Sequence, residues 1–107
     1  MEIIHLQNEN FNELIKEKTL VDFYANWCGP CKMIAPELEK VESNVKVIKV
    51  DVDEFEDLAR THGVMSIPTL VLFENGKELK RTIGFMDKDK IEKFIKSYWT
   101  KLKSGVK

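Results

Sequence analysis

The sequence predicts an α/β domain, a mixed sheet with helices on both faces. Three observations carry that prediction. The apolar period changes repeatedly along the chain, between the two-residue period of strands and the period of about 3.6 of helices. Asn75-Gly76 separates two strand-like runs, "PTLVLFE" and "KELKRTIG", the pattern of an antiparallel hairpin with a type I′ turn. Ile91, Phe94, Ile95, Tyr98, Trp99 and Leu102 then recur at helical spacing and close the chain with an amphipathic helix from Asp87.

Taken in order, "EIIHLQ" (2–7) reads as a short strand. Asn8 or Asn10 can cap a helix through about Lys18 that turns Phe11, Leu14 and Ile15 to one side. "TLVDFYA" (19–25) is apolar on both faces apart from Asp22, as a central buried strand should be. A second helix is expected from near Cys28 to about Glu42, with Ile34, Leu38 and Val41 as its core stripe and a kink at Pro36. "VKVIKVDV" (45–52) is β-branched and strand-like. Asp53 with Glu56 matches a capping box for a short helix ending at Gly63. The hairpin and the closing helix complete the order β-α-β-α-β-α-β-β-α, within one domain spanning 1–107 whose last residues, "KSGVK", are expected to fray.

Composition excludes several function classes. With 43% hydrophobic and 33% charged residues the chain reads as globular, and a net charge of −1 supplies no basic field for nucleic acid. Apolar runs are strand-sized, so no membrane span is expected. The start, "MEIIHLQNEN", lacks the basic stretch and apolar run of a signal peptide, which points to a reducing cytosol. Without a Gly-rich phosphate loop, no nucleotide or flavin should bind this chain.

The two cysteines lie in "DFYANWCGPCKM" (22–33) and are the chain's only ones. At a helix start, unpaired N–H groups and the helix dipole favour a thiolate at Cys28, and pairing within Cys-X-X-Cys lowers its pKa further. Cys31, three residues on, shares the helical face and can bond to Cys28. Gly29 leaves the approach open, and Pro30 suits a first helical turn. The spacing therefore suggests an exposed attacking thiol and a recessed resolving one. A zinc site would need His5 and His62 as further ligands, and neither stands in a ligand arrangement. An inert turn is the other alternative. The redox reading is the one that the spacing favours.

"WCGPCK", with "VDFYA" before it and "SIPTL", "FENGK" and "IGF" after it, resembles the thioredoxin family over essentially the whole chain. That resemblance implies the thioredoxin fold, a central five-stranded mixed β-sheet flanked by four α-helices. It implies a general protein dithiol–disulfide oxidoreductase, with Cys28 as nucleophile and Cys31 as resolving thiol through a mixed disulfide. The Gly-Pro pair resembles the reducing members, whereas oxidases and isomerases usually carry a histidine between the cysteines. Asp22 maps to the family's buried proton-transfer aspartate and Lys49 to a lysine modulating it. On the residues alone, Asp22 also reads as a strand-end carboxylate in water, and Lys49 reads more readily as a solvent-facing strand lysine. Pro68 maps to a cis-proline opposite the dithiol. Trp27, Gly29, Pro30, Ile67, Ile83, Gly84 and Phe85 map to a substrate groove, although Ile83 and Phe85 read equally well as core.

No bound cofactor and no metal are implied. Electrons would come from a separate thioredoxin reductase, a flavoprotein using NADPH, and pass to client proteins with disulfides, peroxide-handling and reductive enzymes among them. A cytoplasmic monomer is expected, contacting neither nucleic acid nor membrane. The rival readings are a superfamily oxidase or isomerase and a non-enzymatic scaffold. Two departures from the family pattern are Tyr24, where many members carry tryptophan, and Asn26, where a charged or small residue is common. Met65 reads as a core filler. "DVDEFED" (51–57) superficially resembles a calcium loop but has Phe55 and Glu56 where a ligand and a glycine are needed. His5 and His62 read as structural or solvated.

Overall fold

The computed structural model describes residues 2–105, with side chains to Tyr98. Nine elements follow the expected order: β1 Ile3–His5, α1 Phe11–Leu14, β2 Thr19–Tyr24, α2 Gly29–Glu39, β3 Lys46–Asp51, α3 Glu56–Thr61, β4 Thr69–Glu74, β5 Lys77–Ile83 and α4 Lys88–Gly105. The five strands form one mixed sheet in the order β1-β3-β2-β4-β5, parallel between β1, β3 and β2 and antiparallel from β2 to β4 to β5. β2 is thus central, with Thr19 to Phe23 buried, which is why it is apolar on both faces.

Alternation along the strands divides the core in two. Leu20, Val47, Leu70 and Leu72 pack under α2 and α4 against Ile34, Leu38, Val41, Ile91, Phe94 and Ile95. Val21, Phe23, Ile48, Val50, Val71 and Phe73 face α1 and α3, against Phe11, Ile15 and Ala59. His62, half-buried, joins this second core, its ring 5.4 Å from those of Phe11 and Phe73 and 6.2 Å from that of Phe23. Burial there holds its pKa below the ordinary value.

Local chemistry sets most boundaries. The Asn10 side chain accepts from Glu13 N–H and opens α1. Asn75 (φ 57°) and Gly76 (φ 77°) both take the left-handed conformation that a type I′ turn demands. Asp87 accepts from Lys90 N–H at 3.0 Å and opens α4. α2 continues through Pro36.

Three boundaries depart from expectation. α1 stops at Leu14 rather than near Lys18, because the β4–β5 turn claims its exit: Asn75 N–H donates to the Lys16 carbonyl and Gly76 N–H to that of Ile15. α2 ends at Glu39, not Glu42. The Asp53–Glu56 capping box does not form, since α3 begins after Phe55 with no side-chain cap. The helix end reaches Gly105, and the remainder of the expected fraying tail, like the side chains of Trp99 and Leu102, lies outside the described residues.

Candidate active site

The carboxyl end of β2 delivers the chain into α2, and Cys28 is the helix's N-cap, with extended backbone (φ −86°, ψ 116°). Its Sγ accepts from Cys31 N–H at 3.2 Å. Pro30 lies in the first turn, where a missing N–H leaves no helical bond unmade. Cys28 and Cys31 are joined by a disulfide, with Cα atoms 5.2 Å apart. Both are nearly covered, Cys28 at 5% exposure and Cys31 at 3%. The expected contrast between an exposed and a recessed sulfur is therefore slight in the oxidised form. Ala25 packs with the pair, and Tyr24, Val52 and Ile67 close around it.

The loop after α3 forms the facing wall. Ile67–Pro68 is a cis peptide. It brings the Ile67 carbonyl oxygen to 3.8 Å from Cys28 Sγ. Gly84 (φ +98°) donates its N–H to the Pro68 carbonyl at 2.8 Å, tying the end of β5 to this loop. Trp27 is 69% exposed, and its indole N–H donates to Asp53 Oδ2 at 2.8 Å. That bond explains the missing capping box, since the Asp53 carboxylate is engaged across the site. An apolar cleft of about 190 Å³ runs here, lined by Trp27, Val52, Val64, Met65, Ser66 and Ile67. Met65, read from sequence as a core filler, is instead 94% exposed at its rim. Ile83 and Phe85 are also exposed, so the core reading fails for them. A β-carbon placed on Gly29 would meet nothing within 4 Å.

Behind the dithiol, Asp22 is fully buried, which excludes the strand-end reading. Lys49 Nζ stands 3.5 Å from Asp22 Oδ2, at the outer edge of hydrogen-bonding distance, and neither carboxylate oxygen has a well-formed hydrogen bond. Loss of hydration raises the Asp22 pKa to about 6, and the Lys49 charge only partly opposes this. Lys49 is mostly covered rather than solvent-facing, and its ammonium also lies 4.7 Å from the centre of the Tyr24 ring. Lys49 and Cys31 line one cleft of about 160 Å³, together with Tyr24, Ala25, Asn26, Lys32 and Ala35. Asn26 reaches across to Asp51 Oδ2 at 3.4 Å. Among the described residues no three His, Cys, Asp or Glu side chains are grouped to hold a metal ion, and no helix is long and apolar enough to cross a membrane.

The thioredoxin family profile matches residues 2–97. The chain belongs to the thioredoxin family. It is 46% identical to the thioredoxin of Chlamydia caviae over 94 residues, covering 84% of this chain and 92% of that one. It is 38% identical to the Bacillus subtilis thioredoxin over 103 residues, covering 92% and 99%. A mutant thioredoxin from Halobacterium salinarum superposes with a TM-score of 0.84 at 37% identity, covering 91% of this chain and 90% of that one. The five-stranded mixed sheet with four helices is thus the thioredoxin fold, and the chain is a protein disulfide reductase with a redox-active cysteine pair. Its partners, as a class, are a thioredoxin reductase and disulfide-bearing clients.

Proposed function

We propose that Cys28 is the nucleophile and Cys31 the resolving thiol of this reductase, with Asp22 as the proton acceptor and Lys49 as its modulator. The observation that supports this division is the N-cap position of Cys28. Its sulfur already accepts Cys31 N–H, and on reduction that donor and the helix dipole stabilise a thiolate. The Cys28 thiolate attacks one sulfur of a client disulfide, forming a mixed disulfide and releasing a client thiolate. The Cys31 thiol then passes its proton to the Asp22 carboxylate through the cleft that Lys49 lines. Its sulfur attacks Cys28 Sγ, the bond from Cys28 to the client breaks, and the second client thiolate leaves. A carboxyl titrating at about 6 is a better matched base at neutral pH than an ordinary aspartate.

The client segment lies extended along Ile67 and cis-Pro68, taking backbone hydrogen bonds there as an added strand. Trp27, Gly29, Pro30, Ile83, Gly84 and Phe85 line its groove. The chain works as a single-domain cytoplasmic monomer. It is re-reduced by a flavoprotein reductase that uses NADPH, and its clients include peroxide-handling and reductive enzymes. The deciding experiment is insulin disulfide reduction with dithiothreitol. Wild type is expected to turn over, and Cys31→Ser to accumulate as a mixed disulfide through Cys28. Turnover by Cys28→Ser would overturn these roles.

A further inference from the structure

Three titratable side chains stand in line on one face of the sheet. His5 of β1 is in register with Lys49 of β3, and Lys49 with Asp22 of β2. Side chains at one register level of neighbouring strands share a face, and the strands lie about 4.8 Å apart. The backbones of His5 and Asp22 are therefore about two strand spacings apart with Lys49 on the strand between them, its ammonium turned toward β2, 3.5 Å from Asp22 Oδ2 and 4.7 Å from the centre of the Tyr24 ring. Leu70 of β4, the next partner beyond Asp22, is apolar and fully buried, so the row is closed on the β4 side, while at the β1 edge His5 is exposed. A cleft of about 110 Å³ lies at that end, lined by Ile3, His5, Ala35, Leu38, Glu39 and Lys49. Lys49 and Ala35 also wall the cleft that reaches Cys31. Lys49 thus stands between two clefts, one at the dithiol and one at His5, the second roomy enough for a few waters at about 30 Å³ each.

We propose that His5 is the outer member of a proton-exchange row, His5–Lys49–Asp22, through which the buried carboxylate sheds toward the β1 edge the proton it takes from Cys31. This rests on the reductase reading and extends it. Asp22, protonated by Cys31, gives its proton to Lys49 as the Lys49 ammonium passes one, across the cleft it shares with His5, to the imidazole. The net change is a carboxylate regained and an imidazolium formed, and the imidazolium then passes its proton to bulk buffer. No electron moves in this step. Imidazole is suited to the outer position because it exchanges protons near neutrality. The other titratable and charged groups facing the row are Tyr24 on β2, Asp51 on β3, and Cys31, Lys32 and Glu39 on α2. Tyr24, its pKa raised further by burial, takes no part.

The test is multiple-turnover release of insulin thiols with dithiothreitol as donor, in which Asp22 must shed its proton in every cycle, compared at each pH from about 5.5 to about 8.5 for wild type, His5→Gln and His5→Ala. Both variants should release thiol about three- to tenfold more slowly near neutrality and approach wild type at the alkaline end, with unchanged affinity for insulin. Free imidazole should restore the rate of His5→Ala and leave wild type unaffected. Should His5→Ala fold poorly in a parallel thermal melt, the pH profile of His5→Gln carries the test. Rates that match wild type at every pH, or a uniform slowing that imidazole does not restore, would overturn the row while leaving the reductase reading intact. A folded wild type that releases no thiol would overturn both.

Discussion

Asp22 has lost its hydration in the central strand and gained in return one ammonium at 3.5 Å. Its ordinary value of 3.8 rises to about 6, so the folded chain holds a proton that the unfolded chain releases between those two values. The contribution of Asp22 to stability is therefore greatest below about pH 4, declines as pH rises through that window, and stays reduced above it by about 3 kcal/mol. Asp22→Ala should abolish this slope. Urea denaturation at about pH 4, 6 and 8 should find the variant gaining on wild type by about 3 kcal/mol across the series. A difference that stays flat with pH would mean that Asp22 is not held as a buried charge. Composition and spacing pointed to Asp22, because a carboxylate in an apolar run is conspicuous. They pointed away from Lys49, whose alternation within "VKVIKVDV" reads as an ordinary solvent face until the register sets it beside Asp22.

Helix α3 shows which boundaries local chemistry decides. Its end is a Schellman motif: Gly63 N–H bonds to the Arg60 carbonyl, Val64 N–H to that of Ala59, and Gly63 takes φ +64°. Arg81 of β5 also donates to the His62 carbonyl at 2.6 Å, fastening the helix end to the sheet. Because a β-carbon at Gly63 would meet nothing, Gly63→Ala isolates the backbone term. It should lower stability by about 1 kcal/mol without changing the denaturant slope, whereas a neutral result would mean that the left-handed residue is not strained by a side chain. This stop, the Asn75-Gly76 turn and the Asn10 cap could all be read from sequence, since each is a few residues satisfying their own backbone. The start of α3 and the end of α1 could not. Asp53 is taken by Trp27, 26 positions away, and the α1 exit by the β4–β5 turn, and such partners have no signature in a local window. The cis state of Pro68 likewise came from family resemblance and not from its neighbours in sequence.

Across the whole molecule the central strands are buried on both faces, and among the described residues the large apolar side chains left in solvent gather around the dithiol. Trp27 and Met33 flank the cysteines, Met65 precedes the cis-proline loop, and Ile83 and Phe85 bracket the glycine that bonds to it, at exposures from 45% to 94%. Scattered exposed apolar residues need no explanation, but a contiguous set beside a reactive group is what a docking surface requires. Such a surface acts on clients long enough to touch it and is irrelevant to a small reagent that meets only sulfur. Met65→Ser combined with Ile83→Ser removes two exposed contacts while leaving the cysteines, Asp22 and both cores untouched. The double variant should reduce insulin with kcat/KM lowered about tenfold, the equivalent of about 1.4 kcal/mol of docking energy, mostly through KM. Its rate with a small aromatic disulfide should stay at the wild-type value, because the N-cap that stabilises the Cys28 thiolate is unchanged. Equal losses on both substrates would place the defect in the thiol chemistry, and no loss on either would mean that clients are held by the Ile67 backbone alone.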